Sequence, residues 1–189
     1  YDKKEQLNLS TEDAKLLEDL YESFKANGAT LNKDDKEKYR KLSMDLSMLT
    51  LQFDQNALKD KNRFELLITD ENELSGLPES ARDAAAMLAK SKDKDGWLFN
   101  LSAPSYIPFM RYSDKRDLRE KMYREYMSVG NKGDEFDNKD IIKKIVNIRL
   151  EIAQLMGFKN YAEYALEHTM AKNSANVYKL LNQLLEAYK

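Results

Sequence analysis

Residues that could bind a metal or act as a nucleophile are scarce in this sequence. The 189 residues include a single histidine, His168, and no cysteine. A zinc hydrolase of the His-Glu-x-x-His type needs two imidazoles one helical turn apart and a further ligand elsewhere. A carboxylate-bridged two-metal bundle needs repeated Glu-x-x-His motifs, but Ala165 stands three residues before His168. Neither metal site can be built from this chain, and His168 is interpreted as a structural or surface histidine.

No other catalytic motif accompanies His168. The Gly-x-Ser-x-Gly nucleophile elbow does not occur, although counting residues alone leaves a Ser-His-Asp triad open. GNKGD (residues 130–134) has no following Lys-Ser/Thr pair, and it is more typical of a turn than of a phosphate-binding loop. DEFDN (residues 134–138) lacks the ligand spacing and terminal glutamate of a calcium loop. The sequence therefore predicts no catalytic, cofactor-binding or metal-binding residue in this chain.

Adjacent acids near the start of the chain could act as a general acid–base pair only if they were buried or faced a partner. They fall on polar helix faces, so we interpret them as a solvated surface. These acids are Glu12, Asp13, Glu18 and Asp19.

The charge balance and composition exclude several classes of protein. The chain carries 31 basic and 33 acidic residues, interleaved, with a formal net charge of −2, whereas a nucleic-acid binder clusters its basic residues. No apolar run approaches the roughly 18 residues of a membrane span, and no signal-peptide pattern is present. We expect neither nucleic acid nor a membrane as a partner. The absence of cysteine fits the cytoplasm, and a periplasmic location stays open because the chain begins at Tyr1 rather than Met.

Helix-breaking residues are few, with six glycines and three prolines. This composition favours long helices, and these helices must position any site. Ser10 is predicted to cap a first helix that ends at Gly28. A second helix is predicted from Asn32 to about Asp60, roughly 40 Å long. Its apolar residues form a seam at 3-4 spacing: Tyr39, Leu42, Leu46, Leu49 and Phe53.

The stripe around this seam is wider than a strict coiled-coil seam, because further apolar side chains flank it: Met44, Met48, Leu51 and Leu58. An antiparallel hairpin with the first helix is therefore favoured over a coiled coil.

Two stretches change period from helix to strand. In residues 63–69, Phe64, Leu66 and Ile68 alternate with other residues, and Trp97, Phe99 and Leu101 do so in residues 97–102. We predict a small antiparallel ribbon whose strands are joined through one helix that starts at Pro78 and ends near residue 91. A two-stranded ribbon is not stable alone, so it must lie on the helices.

The rest of the chain is predicted to be helical. Pro104 and Pro108 end the second strand in a bend or short helix, and Ser113 caps a helix that runs to about residue 129. Asp137 or Asn138 caps a helix over 139–156, and Ser174 caps the last one. The predicted fold class is mainly α, a multi-helix array with long antiparallel helices and a two-stranded ribbon. The expected divisions are a helical hairpin (1–62), a strand-helix-strand element (63–113) and a helical segment (114–189).

The end of the chain, LLNQLLEAYK, is an apolar helical repeat without a capping glycine or a proline stop. Together with the start at Tyr1, this pattern leads us to expect a segment of a longer parent protein.

Several motifs carry a family resemblance. They are Leu-x-Gly-Leu-Pro at 74–78, Pro-Ser-Tyr-x-Pro at 104–108, Arg-x-Leu-Arg-Glu at 116–120, Asp-Asn at 137–138, and the run from Arg149 through Gly157 and Phe158 to Tyr-Ala-Glu at 161–163. In these motifs the chain closely resembles the thimet-oligopeptidase family of zinc metallopeptidases, and within it the bacterial peptidyl-dipeptidases. The chain departs from the family pattern at SVGNKGDE (128–135), where many relatives have a segment that contains arginine. We interpret this departure as loop variation.

The resemblance implies a mostly helical protein whose two lobes wall a deep, narrow channel for unfolded oligopeptides. It also implies that the zinc-binding His-Glu-x-x-His motif, the later glutamate ligand and the catalytic glutamate lie downstream of the matched part. No catalytic residue of the family maps onto this chain. Zinc is expected in the parent protein, where a metal-activated water would attack a peptide carbonyl, and no cofactor is expected in this segment.

Two functional hypotheses follow. The first is a non-catalytic helical segment of a peptidyl-dipeptidase or oligopeptidase that cleaves short peptides; the segment would wall the substrate channel and pack against the rest of the same chain. The alternative is a self-contained helical interaction module whose seam from Tyr39 to Phe53 pairs with a partner helix. A weaker third option is an independent hydrolase that uses His168.

Overall fold

The computed structural model describes all 189 residues, and the predicted mainly α fold class is confirmed. The helices are α1 (Thr11–Ala26), α2 (Lys33–Arg63), α3 (Glu79–Lys90), α4 (Ala103–Tyr112), α5 (Arg116–Met127), α6 (Lys139–Leu155), α7 (Tyr161–Leu166) and α8 (Ser174–Tyr188). Two strands, β1 (Leu66–Ile68) and β2 (Trp97–Phe99), and two short 3₁₀ turns, Lys4–Gln6 and Glu71–Leu74, complete the chain.

The chain divides into two compact units. The first unit comprises residues 1–49 and 144–189, and the second comprises residues 50–143. The division at residues 62 and 113 expected from the sequence stays a prediction. No helix in either unit has the length and apolar character that a membrane span requires.

The second unit is built around the predicted ribbon. β1 and β2 pair antiparallel with Leu66 opposite Phe99 and Ile68 opposite Trp97, and the alternation in β1 buries Leu66 and Ile68 while Leu67 stays exposed. In β2 the predicted alternation fails, because Leu98 is buried as well as Phe99. The reason is the close approach of α3 to this strand, which covers a second face of the ribbon.

The segment after β2 is the short helix α4 rather than a bend. Pro104 lies in its first turn, where a missing N–H costs nothing, and Pro108 lies inside the helix. The next residue, Phe109, is fully buried, with its ring 4.8 Å from that of Phe99 in an edge-to-face arrangement. The predicted strand end at residue 102 was too late, since β2 stops at Phe99.

The predicted cap at Ser113 is wrong. The α5 helix starts at Arg116, two residues later than expected, because the Asp114 N–H donates to the Ser75 carbonyl (2.9 Å) and holds this stretch out of the helix. The Ser75 hydroxyl in turn donates to the Asp114 carboxylate at 2.7 Å. Ser113 is buried, and its carbonyl accepts a hydrogen bond from Arg119.

Gly76 makes this junction possible. Its φ of +83° lies in the left-handed region, and a Cβ at this position would overlap the carbonyl oxygen of Tyr112. The glycine of the Leu-x-Gly-Leu-Pro motif is therefore required by the close approach of two backbone segments.

In the first unit, the cap of α1 is confirmed. The Ser10 hydroxyl accepts the Asp13 N–H at 3.1 Å, and the helix ends at Ala26, before Gly28 with φ +80°. The predicted cap at Ser174 is wrong by one residue, because the Asn173 side chain accepts the Asn176 N–H at 3.0 Å. Asn and Asp accept such a bond at least as well as Ser, so the motif allowed either choice.

Candidate functional site

His168 and the acidic pairs all lie at exposed positions. His168 is 48% exposed, and its Nε2 lies 3.3 Å from the carboxylate of the adjacent Glu167. Asp13 accepts a hydrogen bond from Ser10, and Asp19 forms an exposed ion pair with Lys15. No group of three or more His, Cys, Asp or Glu side chains in the chain is placed to hold a metal ion. The donor set of this chain therefore does not fit zinc.

The one buried carboxylate, Asp60, forms a polar network in the second unit. Asp60 lies near the end of α2 and is 0% exposed. Its oxygens accept the Gly130 N–H at 2.7 Å, the Arg63 Nε at 2.7 Å and the Lys132 Nζ at 3.1 Å. Buried charges need such partners, since an unpaired one would lose its hydration without compensation.

Both cations of this network have a second acidic partner. Lys132 also contacts Glu125 at 2.7 Å, and Arg63 also pairs with Asp134. Burial lowers the pKa of Lys132, but its hydrogen bonds to Glu125 and Asp60 outweigh that effect and raise the pKa above its usual value. The Arg63 guanidinium lowers the pKa of Asp134. These contacts fix the loop after α5 to α2.

The glycine-containing loop uses its backbone donors internally, in keeping with the interpretation of GNKGD as a turn. The Gly130 N–H binds Asp60 and the Gly133 N–H binds Asp137 at 2.6 Å. Asp137 also accepts hydrogen bonds from the side chain and N–H of Lys139, and these contacts lower its pKa to about 2. The N–H groups of both glycines in this loop are thus already paired with carboxylates of the same chain.

The sequence left open whether Asp137 or Asn138 caps α6, and the two side chains have different roles at the start of this helix. Asp137 bonds the first N–H of the helix, while the buried Asn138 side chain is used elsewhere. Its amide donates to the Phe53 carbonyl (3.1 Å) and accepts from Asn56 (3.1 Å).

The burial of Asp60 and the partial burial of Asn56 were missed at the sequence level, yet a signal was present. The 3-4 spacing of the seam from Tyr39 to Phe53 continues to positions 56 and 60. A polar residue in an apolar seam predicts a buried polar contact, and both residues make one.

A groove in the first unit runs along α2 and has a volume of about 630 Å³. We call it the α2 groove. Its lining comes from the turn after α1 and from one face of α2: Asn27, Gly28, Ala29, Lys36, Tyr39, Arg40, Ser43, Met44, Ser47 and Met48. Two cations thus lie towards one end, and two methionines towards the other.

The turn at one end of the α2 groove is firmly held. The Tyr164 hydroxyl donates to the Ala26 carbonyl at 2.7 Å, and burial together with a hydrogen bond to Tyr39 raises the pKa of Tyr164 above its usual value. Gly28 is buried, and a Cβ there would contact Leu31 at 3.1 Å and the Tyr39 ring at 3.3 Å. This end of the groove is therefore preformed.

Comparison with known proteins places the chain in a family. Residues 109–189 match the model of peptidase family M3. Oligopeptidase A of Salmonella typhimurium is 38% identical over 180 residues, which cover 93% of this chain and 26% of that protein. The chain belongs to peptidase family M3. Dipeptidyl carboxypeptidase of Escherichia coli is a further member, 30% identical over 188 residues that cover 99% of this chain and 28% of that protein.

The chain spans about a quarter of the length of these M3 relatives. Residues of the motifs that carried the family resemblance make structural contacts in both units. Gly76 permits a close backbone approach, Arg119 bonds the Ser113 carbonyl, and the Arg149 guanidinium lies 5.2 Å from the centre of the Tyr161 ring. These motif residues stabilise the joints between elements.

Proposed function

We propose that this chain is a non-catalytic helical segment of a zinc-dependent M3 oligopeptidase or peptidyl-dipeptidase, and that it forms part of the wall of the channel that admits short peptides. The observation that carries the proposal is the similarity to oligopeptidase A and dipeptidyl carboxypeptidase over almost the whole chain. The donor set of the chain, with one histidine, supports a zinc site outside these residues. The rest of the parent protein would then be the packing partner of this segment.

The proposed location is the cytoplasm. The absence of cysteine supports it, as does the name of an Arabidopsis thaliana relative, probable cytosolic oligopeptidase A, which is 39% identical over 171 residues.

The test compares the 189-residue chain with the product of the complete reading frame. We expect the longer protein to cleave short peptides and to lose this activity with a zinc chelator. The 189-residue chain should cleave none and should bind no stoichiometric zinc by elemental analysis. Chelator-sensitive cleavage by the 189-residue chain itself would overturn the proposal.

A second candidate function is a self-contained helical interaction module. Its specific support is the exposure of apolar side chains beside the α2 seam, with Met44 63% exposed and Met48 68% exposed. This candidate requires a concentration-dependent oligomer in sedimentation experiments that dissociates in Leu46→Lys and Leu49→Lys variants. A monomer at all concentrations would reject it.

A further inference from the structure

We propose that the α2 groove binds the carboxyl end of a short, extended peptide. Lys36 and Arg40 hold the terminal carboxylate, while Met44 and Met48 contact the apolar side chains that precede it. The inference rests on the proposed function, since it takes oligopeptides as the ligand class, and it deepens that function by assigning a place and a direction to the peptide.

The charges at one end of the groove are uncompensated. Lys36 and Arg40 are separated by one helical turn and both line the groove. Neither side chain forms an ion pair or a hydrogen bond within the chain. Like charges at this spacing repel each other, and a cation early in a helix opposes the helix dipole. Lys15 and Lys132, in contrast, each contact two carboxylates. A carboxylate bound between Lys36 and Arg40 would relieve this repulsion.

The other end of the groove suits apolar side chains of varied shape. Met44 and Met48 are both more than half exposed, and the flexible thioether of methionine adapts to different partners. Between the two ends, the Ser47 hydroxyl donates to the Ser43 carbonyl, whereas the Ser43 hydroxyl is free to bond a peptide backbone. This order of groups along α2 matches a peptide with a charged end and an apolar body.

The dimensions agree with a short peptide. Lys36 and Met48 are twelve residues apart on one helix, which corresponds to about 18 Å. An extended chain advances about 3.3 Å per residue, so the groove accommodates roughly five residues. Tyr39, Gly28 and Tyr164 fix the backbone of the turn beside the cations, so this end of the groove keeps its shape.

The test uses an N-terminally fluorescein-labelled pentapeptide with leucine and phenylalanine side chains, prepared as the free acid and as the amide. Binding to the 189-residue chain is followed by fluorescence anisotropy at low salt. We expect the amide to bind about tenfold more weakly than the acid, and Lys36→Glu/Arg40→Glu to weaken binding of the acid by about the same factor. Met44→Ser/Met48→Ser should weaken acid and amide alike.

The matched control is Lys38→Glu/Lys41→Glu, which makes the same change of charge on the same helix at residues that do not line the groove. It should leave the affinity within about twofold of the unmodified chain. Circular dichroism verifies that each variant keeps its helical content. Equal affinity for acid and amide, no detectable binding, or an equal loss in both charge-reversal variants would overturn the inference. A dimer that dissociates only in Lys36→Glu/Arg40→Glu would also overturn it, since a second copy would then occupy the groove.

This binding assay does not depend on catalysis, so its failure is distinct from failure of the proposed function. Should the longer protein show chelator-sensitive cleavage with the same KM in the Lys36→Glu/Arg40→Glu variant, the groove assignment falls and the proposed function stands. Should the longer protein cleave no peptide while the pentapeptide still binds through its carboxylate, the proposed function falls and the groove assignment stands.

Discussion

The two units of the chain are both helical, but they bury their apolar side chains to different extents. Every residue of the main core cluster lies in the second unit, around Phe99, Leu101 and Phe109. In the first unit the buried apolar residues are Ile145, Ile152 and Ala153. Since stability scales with apolar area removed from water, the second unit should account for most of the free energy of unfolding.

The difference follows from how the elements are arranged. In the second unit, α3 packs on the ribbon, α4 packs on α3 and α5 packs on α4, so residues close in sequence cover one another. In the first unit, the apolar stripe of α8 remains open, with Leu180, Leu181 and Leu185 all more than half exposed. Helical periodicity predicts which side chains share a face, but it does not determine whether that face is covered.

The largest expected effect is at the centre of the second unit. Phe109→Ala removes a ring that is 0% exposed and should lower the free energy of unfolding by about 3–5 kcal/mol in urea denaturation. Ile107→Ala on the same helix, where the side chain is 57% exposed, should cost less than about 0.5 kcal/mol. Similar losses from both changes would contradict the assigned core.

The buried charge network should give the next largest effect. Asp60→Ala leaves Lys132 and Arg63 without their shared carboxylate and should cost about 3 kcal/mol in the same assay. Asp54→Ala, an exposed position on α2, is the control and should be nearly neutral. A neutral Asp60→Ala variant would show that the loop does not depend on this carboxylate.

Alanine substitutions at two glycines distinguish the cost of backbone strain from the cost of steric overlap. Gly133→Ala places a side chain at φ +72° with no atom within 4 Å and should cost about 1 kcal/mol. Gly76→Ala adds the overlap with the Tyr112 carbonyl and should cost more than about 2 kcal/mol. Chemical denaturation of both variants measures the difference, and equal losses would reject the close approach at Gly76.

In the first unit, an exposed leucine should matter little. Leu181→Ala on α8, where the side chain is 51% exposed, should change the free energy of unfolding by less than about 0.5 kcal/mol. Ile152→Ala in the same unit, at 4% exposure, should cost about 2 kcal/mol or more. Thermal and urea unfolding of the two variants test whether the α8 stripe is as open as described. A large loss at Leu181 would mean that this stripe is covered.

The smallest expected change is confined to the loop of the second unit. The pKa of Asp137 is lowered to about 2 from an ordinary value of 3.8. A lowered pKa means that its stabilising contacts are fully present above the ordinary value and are lost as pH falls through about 2. Carboxyl NMR titration should place the midpoint near 2, and the Gly133 and Lys139 amide signals should follow it. Asp137→Asn should remove that response.

The sequence predicted the elements better than it predicted their surroundings. Alternation in residues 63–69 located β1 and its buried face, and Gly28 located the end of α1, because both depend on local backbone chemistry. The late start of α5 depends on Asp114 bonding the carbonyl of Ser75, 39 residues away, and no local pattern contains that contact.

The candidate site was less predictable still. The expectation of no catalytic residue in this chain stays a prediction. The α2 groove depends on Tyr164, which reaches the carbonyl of Ala26 from far along the chain, so its preformed end could not be inferred from α2. The seam of α2 did contain a signal in Asn56 and Asp60, two polar residues at apolar spacing.

The charge network around Asp60 also sets a rule for how the loop of residues 128–138 can drift in evolution. Lys132 belongs to the part of this loop that the sequence analysis interprets as loop variation, yet its ammonium group contacts a fully buried carboxylate. A relative that replaces the acid at position 60 would leave two basic side chains without the carboxylate they share, which favours a matching change at positions 63 and 132. Loop and helix are therefore expected to co-vary, although 70 residues separate Asp60 from Gly130.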